Sequence, residues 1–317
     1  MNYLILDKRQ RVKNNNEENV ATANIRLEEE LNKKSIPHSS AYFDEIEIAF
    51  INGETLIKVK GEDIRKYSHI IFRGHDLHND LQYQLKRYII DCIDMHNLNN
   101  PNKKIYVQNA KAIKKLPYYN KIAFAIFCSQ NGIPYFNSYF RTDGNYTSPR
   151  DVLNSFPLIM KEYSGANRVQ LIDGEEKIKK NVYKIDDENG YKQEFLKDQD
   201  PTRMFIQEFS DSAIDMRIFV KRGKVIAGWT RQASQGFMTV SKGIYRMYNN
   251  PEDSIKILSE NVARILEADF IAVDFMFQGE KPLLQEISLH PGFKAYETKI
   301  EGEPVNIAEA IITAFED

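Results

Sequence analysis

The sequence predicts a mixed α/β fold, in which an open α/β region comes first and a mainly antiparallel region follows. Two patterns indicate this class: short apolar segments alternate with helical patterns before residue 110, and short strands are joined by tight turns after residue 203. Composition is a third observation, since 42% hydrophobic and 28% charged residues are typical of a globular chain. The 317 residues suffice for about two domains, or for one large domain with subdomains.

The N-terminal region contains three short apolar segments that predict buried parallel strands, at residues 3–6, 69–72 and 104–107. Helical patterns lie between them at 20–31 and 81–95. In the second pattern one apolar stripe comprises Leu81, Leu85, Tyr88, Ile89 and Cys92. Asn52-Gly53 between two alternating segments predicts an inserted β-hairpin with a type I′ turn.

The middle of the chain has a different character. It predicts a helix at 119–130 that ends at Asn131-Gly132, strands at 135–140 and 158–162, and a helix introduced by Ser148-Pro149. The charged segment 174–199 predicts a solvated helix and loop.

From residue 203 onward the pattern is antiparallel. The predicted elements are a strand at 205–209, a hairpin of 216–220 and 225–229, a helix at 251–267, a hairpin of 271–277 and 282–287, and an amphipathic closing helix. These changes predict three units, at residues 1–110, 111–202 and 203–317.

The charge balance argues against a nucleic-acid partner, and the short apolar runs argue against a membrane span. Lys and Arg number 43 against 45 Asp and Glu, a formal charge of −2, whereas a nucleic-acid binder usually has a strongly basic face. No apolar run approaches the ~18 residues of a membrane span, and the first seven residues do not resemble a signal peptide. We therefore expect a cytoplasmic protein with no nucleic-acid and no membrane partner. Cys92 and Cys128 lie far apart in apolar stretches, which predicts core residues.

Familiar catalytic motifs are missing from the sequence. It has no G-x-x-x-x-G-K-[ST] loop and no G-x-G-x-x-G after a strand, which disfavours a P-loop NTPase and a simple dinucleotide-dependent dehydrogenase. It also has no H-E-x-x-H, no paired C-x-x-C and no G-x-S-x-G, which disfavours zinc enzymes and common hydrolases.

Two lysines and two carboxylates remain as chemical candidates. Lys121 opens a helix, and Lys161 ends an apolar strand before a Ser164-Gly165 turn, so the two cations could clamp phosphates. They could equally be surface lysines with stems on apolar surface. Asp274 and Glu286 lie in neighbouring apolar strands and together would offer oxygen ligands to Mg²⁺ and its phosphates. By strand alternation alone, each could instead face water.

The order of several segments resembles the ATP-grasp domain of the RimK-like carboxylate–amine ligases. The matching segments are 107–109, 112–113, 120–122, 131–134, 157–161, 206–209, 215–217, 273–275, 285–288 and 291–292. The resemblance implies an ATP-grasp fold after an N-terminal open α/β pre-ATP-grasp domain. On this basis unit 111–202 would be the N-terminal subdomain of the ATP-grasp domain, with a lid around 157–192. Unit 203–317 would be its C-terminal subdomain, with a metal site.

The resemblance also implies the roles of individual residues. Lys121 and Lys161 would hold the phosphates of ATP, and the segment Gln207, Glu208 and Phe209 would contact adenine, with Asp215 near adenine or ribose. Lys161, Arg217 and Arg231 would be catalytic, the arginines at the γ-phosphate or acyl phosphate. Asp274, Glu286 and Ser288 would ligate Mg²⁺ or Mn²⁺, with Ser288 where the family commonly has asparagine. The lid loop 162–168 has one glycine, and the segment 236–243 departs from relatives on the acceptor side.

The implied reaction is an ATP- and Mg²⁺-dependent ligation. A carboxylate would attack the γ-phosphorus to form an acyl phosphate, which an amine would convert to an amide; a water-excluding lid would protect the intermediate. The substrate would be an amino acid, peptide or protein tail, and a homo-oligomer is a further expectation. Two alternatives stay open: a phosphotransferase with the same nucleotide site, and a non-catalytic nucleotide-binding protein.

The N-terminal domain offers substrate candidates of its own. Arg73 and His75 follow the strand at 69–72, and ligands of open α/β sheets bind outside the carboxyl ends of strands. Arg73 could bind a carboxylate, or it could simply anchor a polar loop. His290 could touch substrate or be an ordinary loop histidine, and Trp229 is predicted to be a core residue.

Overall fold

The computed structural model describes most of the chain. The described residues are 1–9, 22–75, 80–116, 118–146, 153, 156–165, 168–172, 175–179, 182–192, 200–212, 214–233 and 243–315. None of the helices in these ranges is long and apolar enough to cross a membrane. The predicted helix at Ser148-Pro149 and most of the segment 236–243 lie outside the described residues.

The N-terminal region is an open α/β layer with an added hairpin. Its elements are β1 (Tyr3–Asp7), α1 (Thr22–Lys33), β2 (His38–Tyr42), β3 (Ile46–Ile51), β4 (Glu54–Val59), β5 (Glu62–Asp63), β6 (His69–Phe72), α2 (Asp80–Asn99), β7 (Tyr106–Val107) and α3 (Ala110–Lys115). The parallel sheet has the order β2-β1-β6-β7, and β3-β4-β5 form an antiparallel sheet. Asn52 and Gly53 have φ angles of 52° and 80°, which confirms the predicted hairpin turn.

The predicted apolar stripe of α2 was partly wrong. Leu81 and Tyr88 are exposed, whereas the helix buries Tyr83, Lys86, Ile89, Ile90 and Ile93. The buried face therefore includes Lys86, which the predicted apolar stripe did not contain. The reason for the difference is tertiary, since this face lies over the sheet and contacts Phe43 and Phe72.

The middle of the chain forms a helix and a second antiparallel sheet. The elements are α4 (Lys121–Gln130), β8 (Ser138–Phe140), β9 (Leu158–Glu162), β10 (Arg168–Ile172), β11 (Glu175–Lys179), β12 (Val182–Ile185) and β13 (Met204–Glu208). The sheet order is β12-β9-β13-β8, and β10 pairs with β11 separately. The helix predicted within 174–199 is wrong for the residues that form the strands β11 and β12. Pairing of these strands with β10 and β9 overrides the weak local preference for a helix.

The C-terminal region contains a five-stranded antiparallel sheet. The elements are β14 (Ile214–Lys221), β15 (Lys224–Ala233), β16 (Gly243–Met247), α5 (Asp253–Leu266), β17 (Phe270–Gln278), β18 (Lys281–Ser288), α6 (Lys294–Lys299) and α7 (Ile307–Ile312). The order β16-β15-β14-β17-β18 includes both predicted hairpins. One face buries Ile218, Val273 and Ile287 in the largest core, and the other packs Phe219 and Phe270 with Tyr296.

Asn109 joins the N-terminal region to this sheet. It has a left-handed backbone with φ of 58°, and its Nδ2 donates to the carbonyl oxygens of Phe270 (2.6 Å) and Leu289 (2.8 Å). Its Oδ1 accepts from the backbone N–H groups of Asp269 (2.9 Å) and Phe270. One buried amide thus fixes the start of β17 and the loop after β18 against the end of β7. The predicted unit boundaries at 110 and 202 remain predictions.

Candidate active site

Lys121 and Lys161 approach the same space from a helix and a strand. The side chain of Asn120 caps α4, and the backbone N–H of Lys121 donates to the carbonyl of Tyr163 (2.8 Å) in the turn after β9. Lys161 is buried on β9 and its Nζ donates to Gln207 Oε1 (2.6 Å) on β13. Gly165 has φ of 78°, and a Cβ there would lie 3.2 Å from Lys121 Nζ. The turn and the helix start therefore fix the two ammonium groups.

Burial disfavours the charge of both lysines. Burial and the nearby ammonium of Lys121 lower the pKa of Lys161 to about 7, while Glu286 opposes this shift. Burial also lowers the pKa of Lys121, against the attraction of Glu286 and Glu162. Because burial outweighs the attraction of these carboxylates, the two lysines are suited to a polyanion, which would raise the pKa of both groups.

The segment predicted to contact adenine lies at the end of β13, the strand that pairs with the lysine strand β9. Gln207 Nε2 donates to Ser138 Oγ (3.1 Å), so its side chain links Lys161 to β8. Glu208 accepts from Asn137 Nδ2 (2.9 Å), and its backbone N–H donates to the carbonyl of Asn137 (3.0 Å). Phe209 follows the end of β13, with Lys184 Nζ 5.1 Å from its ring centroid. These contacts order β13 beside the lysine pair.

Three facing residues on neighbouring strands form the charged centre of the five-stranded sheet. Arg217, Asp274 and Glu286 lie directly opposite one another on β14, β17 and β18. Arg217 Nε and Nη2 donate to the two Asp274 oxygens at 2.7 and 2.6 Å. A bulge after Asp274 shifts the register of the next pair, so the strand pattern alone could not have placed this face.

Ser288 lies two residues beyond Glu286 on the same face. Its neighbour Tyr119 donates a hydrogen bond to the carbonyl of Ile287 (3.1 Å), and burial, with the charge of Glu286, raises the pKa of Tyr119. Two carboxylates and a hydroxyl are oxygen donors of the kind that Mg²⁺ prefers, so the donor set fits this ion with phosphates as further ligands. Among the described residues, no group of three or more His, Cys, Asp or Glu side chains is arranged around a metal position.

The second predicted arginine is also paired with an aspartate. Arg231 on β15 faces Asp215 on β14 and donates to it through Nε (3.0 Å) and Nη2. Burial raises the pKa of Asp215, while the guanidinium of Arg231 opposes this shift. The sequence did not predict this pair, since the resemblance placed Asp215 near adenine or ribose; that role remains a prediction.

The substrate candidates Arg73 and His75 lie in a buried polar cluster at the end of β6. Arg73 Nη2 donates to the carbonyl of Pro291 (2.8 Å), in the loop after β18, and Arg73 Nε has no hydrogen-bond partner among the described residues. Burial lowers the pKa of Arg73 to about 10, against the attraction of Asp7. Arg73 thus connects the end of β6 to the loop that follows the carboxylate strand.

Sequence reasoning missed Lys86, the fully buried lysine of this cluster. Its Nζ donates to the carbonyl of Arg73 (3.0 Å) and lies 3.3 Å from His75 Nδ1. Burial, with the charges of Lys86 and Lys8, lowers the pKa of His75 to about 2, and burial with the charge of Lys86 also lowers that of His290. The missed signal was a lysine three residues from Tyr83 and Ile89 on one helical face.

The architecture is that of an ATP-grasp domain preceded by an open α/β domain. The model of the RimK-like ATP-grasp domain matches residues 129–315. The chain therefore belongs to the RimK-like ATP-grasp family, as its ordered segments predicted. No curated protein is significantly similar to the chain in sequence.

Solved structures that resemble the chain share its architecture over nearly the whole length. The ATP-grasp ligase PsnB complexed with a minimal precursor has 12% identity and a TM-score of 0.67, with 99% of each chain covered. The macrocyclase MdnC bound with precursor peptide MdnA, from Microcystis aeruginosa MRC, has 13% identity, a TM-score of 0.65 and coverage of 98% and 99%.

A third structure is the Chryseobacterium gregarium RiPP-associated ATP-grasp ligase in complex with ADP, and a leader and core peptide. It has 14% identity and a TM-score of 0.64, with 99% of this chain and 96% of that chain covered. At such identities the likeness establishes the fold, and the predicted ATP-grasp fold with its N-terminal α/β domain is confirmed.

Proposed function

We propose that the protein is an ATP- and Mg²⁺-dependent ligase that activates a peptide carboxylate as an acyl phosphate and joins it to an amine. The observation that carries this proposal is the charge arrangement around Glu286, which attracts both Lys121 and Lys161. Beside it, Arg217 is paired with Asp274 and Arg231 with Asp215. Membership of the RimK-like family supports the ligase class. Peptide complexes of the similar structures support a peptide as substrate.

The nucleotide would lie between the two antiparallel sheets. Lys121 and Lys161 would bind its phosphates, because burial lowers the pKa of both lysines despite the attraction of Glu286, and phosphate charge would offset that cost. The segment Gln207, Glu208 and Phe209 would contact adenine, and Asp215 would lie toward adenine or ribose. Each of these assignments follows the family pattern, and the ordered hydrogen bonds of β13 support it.

Asp274, Glu286 and Ser288 are the residues that would hold Mg²⁺, or Mn²⁺ in its place. When bound, the ion neutralises charge on the phosphate oxygens during transfer. Arg217, Arg231 and Lys161 would stabilise the same developing charge from the protein side. Since Arg217 is hydrogen-bonded to Asp274, the arginine is already held at the edge of the proposed metal position.

The carboxylate substrate would enter from the N-terminal domain. Arg73, His75 and His290 would line that side, and Arg73 supplies a guanidinium nitrogen without a partner in the described chain. The carboxylate oxygen attacks the γ-phosphorus, ADP leaves, and the amine then displaces phosphate from the acyl carbon. The strands around 157–192 would exclude water from the acyl phosphate.

Thermal unfolding with Mg·ADP tests the nucleotide and metal assignment. A ligand at about 100 times its dissociation constant adds ~2.7 kcal/mol, which raises the midpoint by several degrees. We expect this rise for the parent chain and a smaller magnesium-dependent part for Asp274→Asn and Glu286→Gln. Glu47→Gln, an exposed change on β3, is the control and should behave as the parent. No rise in the parent chain at saturating nucleotide would refute the assignment.

Mass spectrometry of a candidate acidic peptide tests the reaction itself. Incubation with ATP and Mg²⁺ should produce a peptide that has lost one water for each intramolecular bond, or has gained the mass of the amine partner less one water. Gain of a stable phosphoryl group instead would favour the phosphotransferase alternative. ADP release without any change in peptide mass would contradict ligation of that peptide.

A further inference from the structure

Trp229 is the single tryptophan of the chain, and it lies against both proposed catalytic arginines. It is directly opposite Arg217 across the β14–β15 pair and two residues before Arg231, so the three side chains share one face of the sheet. The guanidinium carbons of Arg217 and Arg231 lie 5.7 and 5.8 Å from the Trp229 ring centroid. Both distances are within the range of a cation–π contact.

The rest of the Trp229 environment is apolar. Trp229 is buried and belongs to the same core cluster as Phe219, Phe270 and Tyr296, and its ring centroid lies 5.2 Å from that of Tyr245. The expectation that Trp229 is a core residue is therefore correct, but incomplete. The ring lies at the border where an apolar core meets two arginine–aspartate pairs.

We propose that Trp229 is a positioning residue, a rigid platform that keeps the two guanidinium groups side by side in the site. This inference rests on the proposed function. Each arginine is also held by an aspartate, but a phosphate would compete with Asp274 and Asp215 for the same N–H groups. The ring does not compete for those donors, because it attracts the cation through its face. Trp229 can thus hold both arginines while their hydrogen-bond partners change.

The proposal makes a specific claim about the γ-phosphate. Arg217 and Arg231 are assigned to the transferred phosphoryl group, whereas Lys121 and Lys161 are assigned to the nucleotide phosphates in general. Loss of the platform should therefore weaken binding of a nucleotide with a γ-phosphate more than binding of ADP. A purely structural role would weaken both nucleotides alike.

Tryptophan fluorescence provides the first readout, because a single tryptophan assigns the signal to position 229. Mg·AMPPNP, an unreactive ATP analogue, should change the emission, since it alters the charges beside the ring. Mg·ADP at saturation should change it much less. Equal changes with both nucleotides, or no change with Mg·AMPPNP at a concentration where calorimetry detects binding, would overturn the proposal.

Calorimetric titration of two variants provides the second readout. Trp229→Leu should bind Mg·AMPPNP about tenfold more weakly, equivalent to ~1.4 kcal/mol, while its affinity for Mg·ADP stays within about twofold of the parent. Trp229→Phe keeps an aromatic face and should show a smaller loss, since tryptophan is the strongest cation–π partner. Equal weakening of both nucleotides in Trp229→Leu would overturn the proposal.

A matched control separates positioning from folding. Phe270→Leu removes an aromatic ring from the same core cluster without touching either arginine, so it should leave the ratio of the two affinities unchanged. Retained Mg·ADP binding shows that a variant is folded. If the parent chain binds neither nucleotide, the proposed function fails; if it binds both and Trp229→Leu keeps the parental ratio, only the Trp229 proposal fails.

Discussion

Two buried charged clusters in this protein are built differently. In the five-stranded sheet Arg217 has Asp274 opposite it and Arg231 has Asp215, and each forms an ion pair with its aspartate. In the N-terminal domain Lys86 and Arg73 instead donate to backbone carbonyls of Arg73 and Pro291. One cluster holds its charges as ion pairs, and the other holds cations mainly by carbonyl dipoles.

The difference indicates which kind of charged ligand each cluster can accept. A buried ion pair keeps both groups charged, and a charged ligand can replace either partner with little change in net charge. Lys86 and Arg73 have lowered pKa values because burial outweighs the attraction of Asp7, so both would gain from an incoming anion. The first arrangement suits a site that receives metal and phosphate together, and the second suits a carboxylate.

The largest expected effect comes from breaking an ion pair of the sheet. Asp274→Asn leaves the Arg217 guanidinium without its carboxylate, and both side chains are largely buried, so the free energy of unfolding without nucleotide should fall by about 2–3 kcal/mol. Urea unfolding measures this loss. The control is Asp63→Asn, which breaks an exposed bidentate pair with Arg65 and should cost less than ~1 kcal/mol. Similar losses in both variants would show that burial of the first pair contributes nothing.

Glycines beside the proposed nucleotide site and beside the N-terminal cluster allow a sharper comparison. Gly165→Ala should lower the free energy of unfolding by about 1 kcal/mol because of its positive φ, and should also weaken Mg·ADP binding several-fold by displacing Lys121 Nζ. Gly223→Ala has the same strain, with φ of 72°, but an open surrounding, so it should affect stability alone.

Gly74→Ala is the counterpart in the N-terminal cluster. A Cβ there would lie 2.9 Å from Asp7 Oδ1, and we expect lower stability with unchanged Mg·ADP affinity. Denaturation and calorimetric titration of the three alanine variants measure both quantities. Weaker nucleotide binding in Gly74→Ala would mean that the N-terminal cluster is coupled to the nucleotide site.

Replacement of the buried Lys86 should have a smaller effect at neutral pH. Lys86→Met keeps the contacts with Phe43, Phe72 and Tyr83, and loses one hydrogen bond together with the cost of a buried ammonium, so we expect a change below ~1 kcal/mol. The pKa of Lys86 is well below that of an unfolded lysine, so the unfolded chain binds more protons and this group makes stability rise with pH up to about 10.

The variant should therefore lose that part of the pH dependence. Unfolding free energies of parent and Lys86→Met at several pH values between neutral and about 10 measure it. Lys33→Met removes an exposed lysine and serves as the control, with the pH slope of the parent. A parental slope in Lys86→Met would show that Lys86 does not carry the shift.

The smallest effect is proton uptake by Lys161. Its pKa of about 7 means that this group is mostly neutral at pH 8, and bound phosphates should raise the pKa and draw in a fraction of a proton. Calorimetry of Mg·ADP binding at pH 8, in buffers of different ionisation enthalpy, measures the uptake. Lys161→Arg stays charged throughout and should show less uptake. Affinity should fall as pH rises above about 7; equal uptake in both proteins would assign the proton elsewhere.

Much of the fold was predictable from local patterns. The three apolar segments of the N-terminal region became β1, β6 and a shortened β7, and both C-terminal hairpins form where their turns predicted. β2, with the polar sequence of His38, Ser39 and Ser40, was not predicted, because it joins the sheet through backbone pairing with β1 rather than through apolar side chains. The helix predicted within 174–199 is wrong for the same reason, since strand pairing overrode the charged composition of this segment.

The sequence by itself supplied the candidate site residues and their order. Lys121, Lys161, Asp274 and Glu286 stand out by their place in or beside apolar segments, and the resemblance to the RimK-like ligases added Arg217 and Arg231. Only the tertiary structure decided their partners. The pairing of Arg217 with Asp274 depends on the register of β14 against β17, that of Asp215 with Arg231 on the hairpin, and the burial of Lys86 on which face of α2 meets the sheet. A sequence pattern records spacing along one strand or helix, whereas charge balance and desolvation depend on which strands and helices meet.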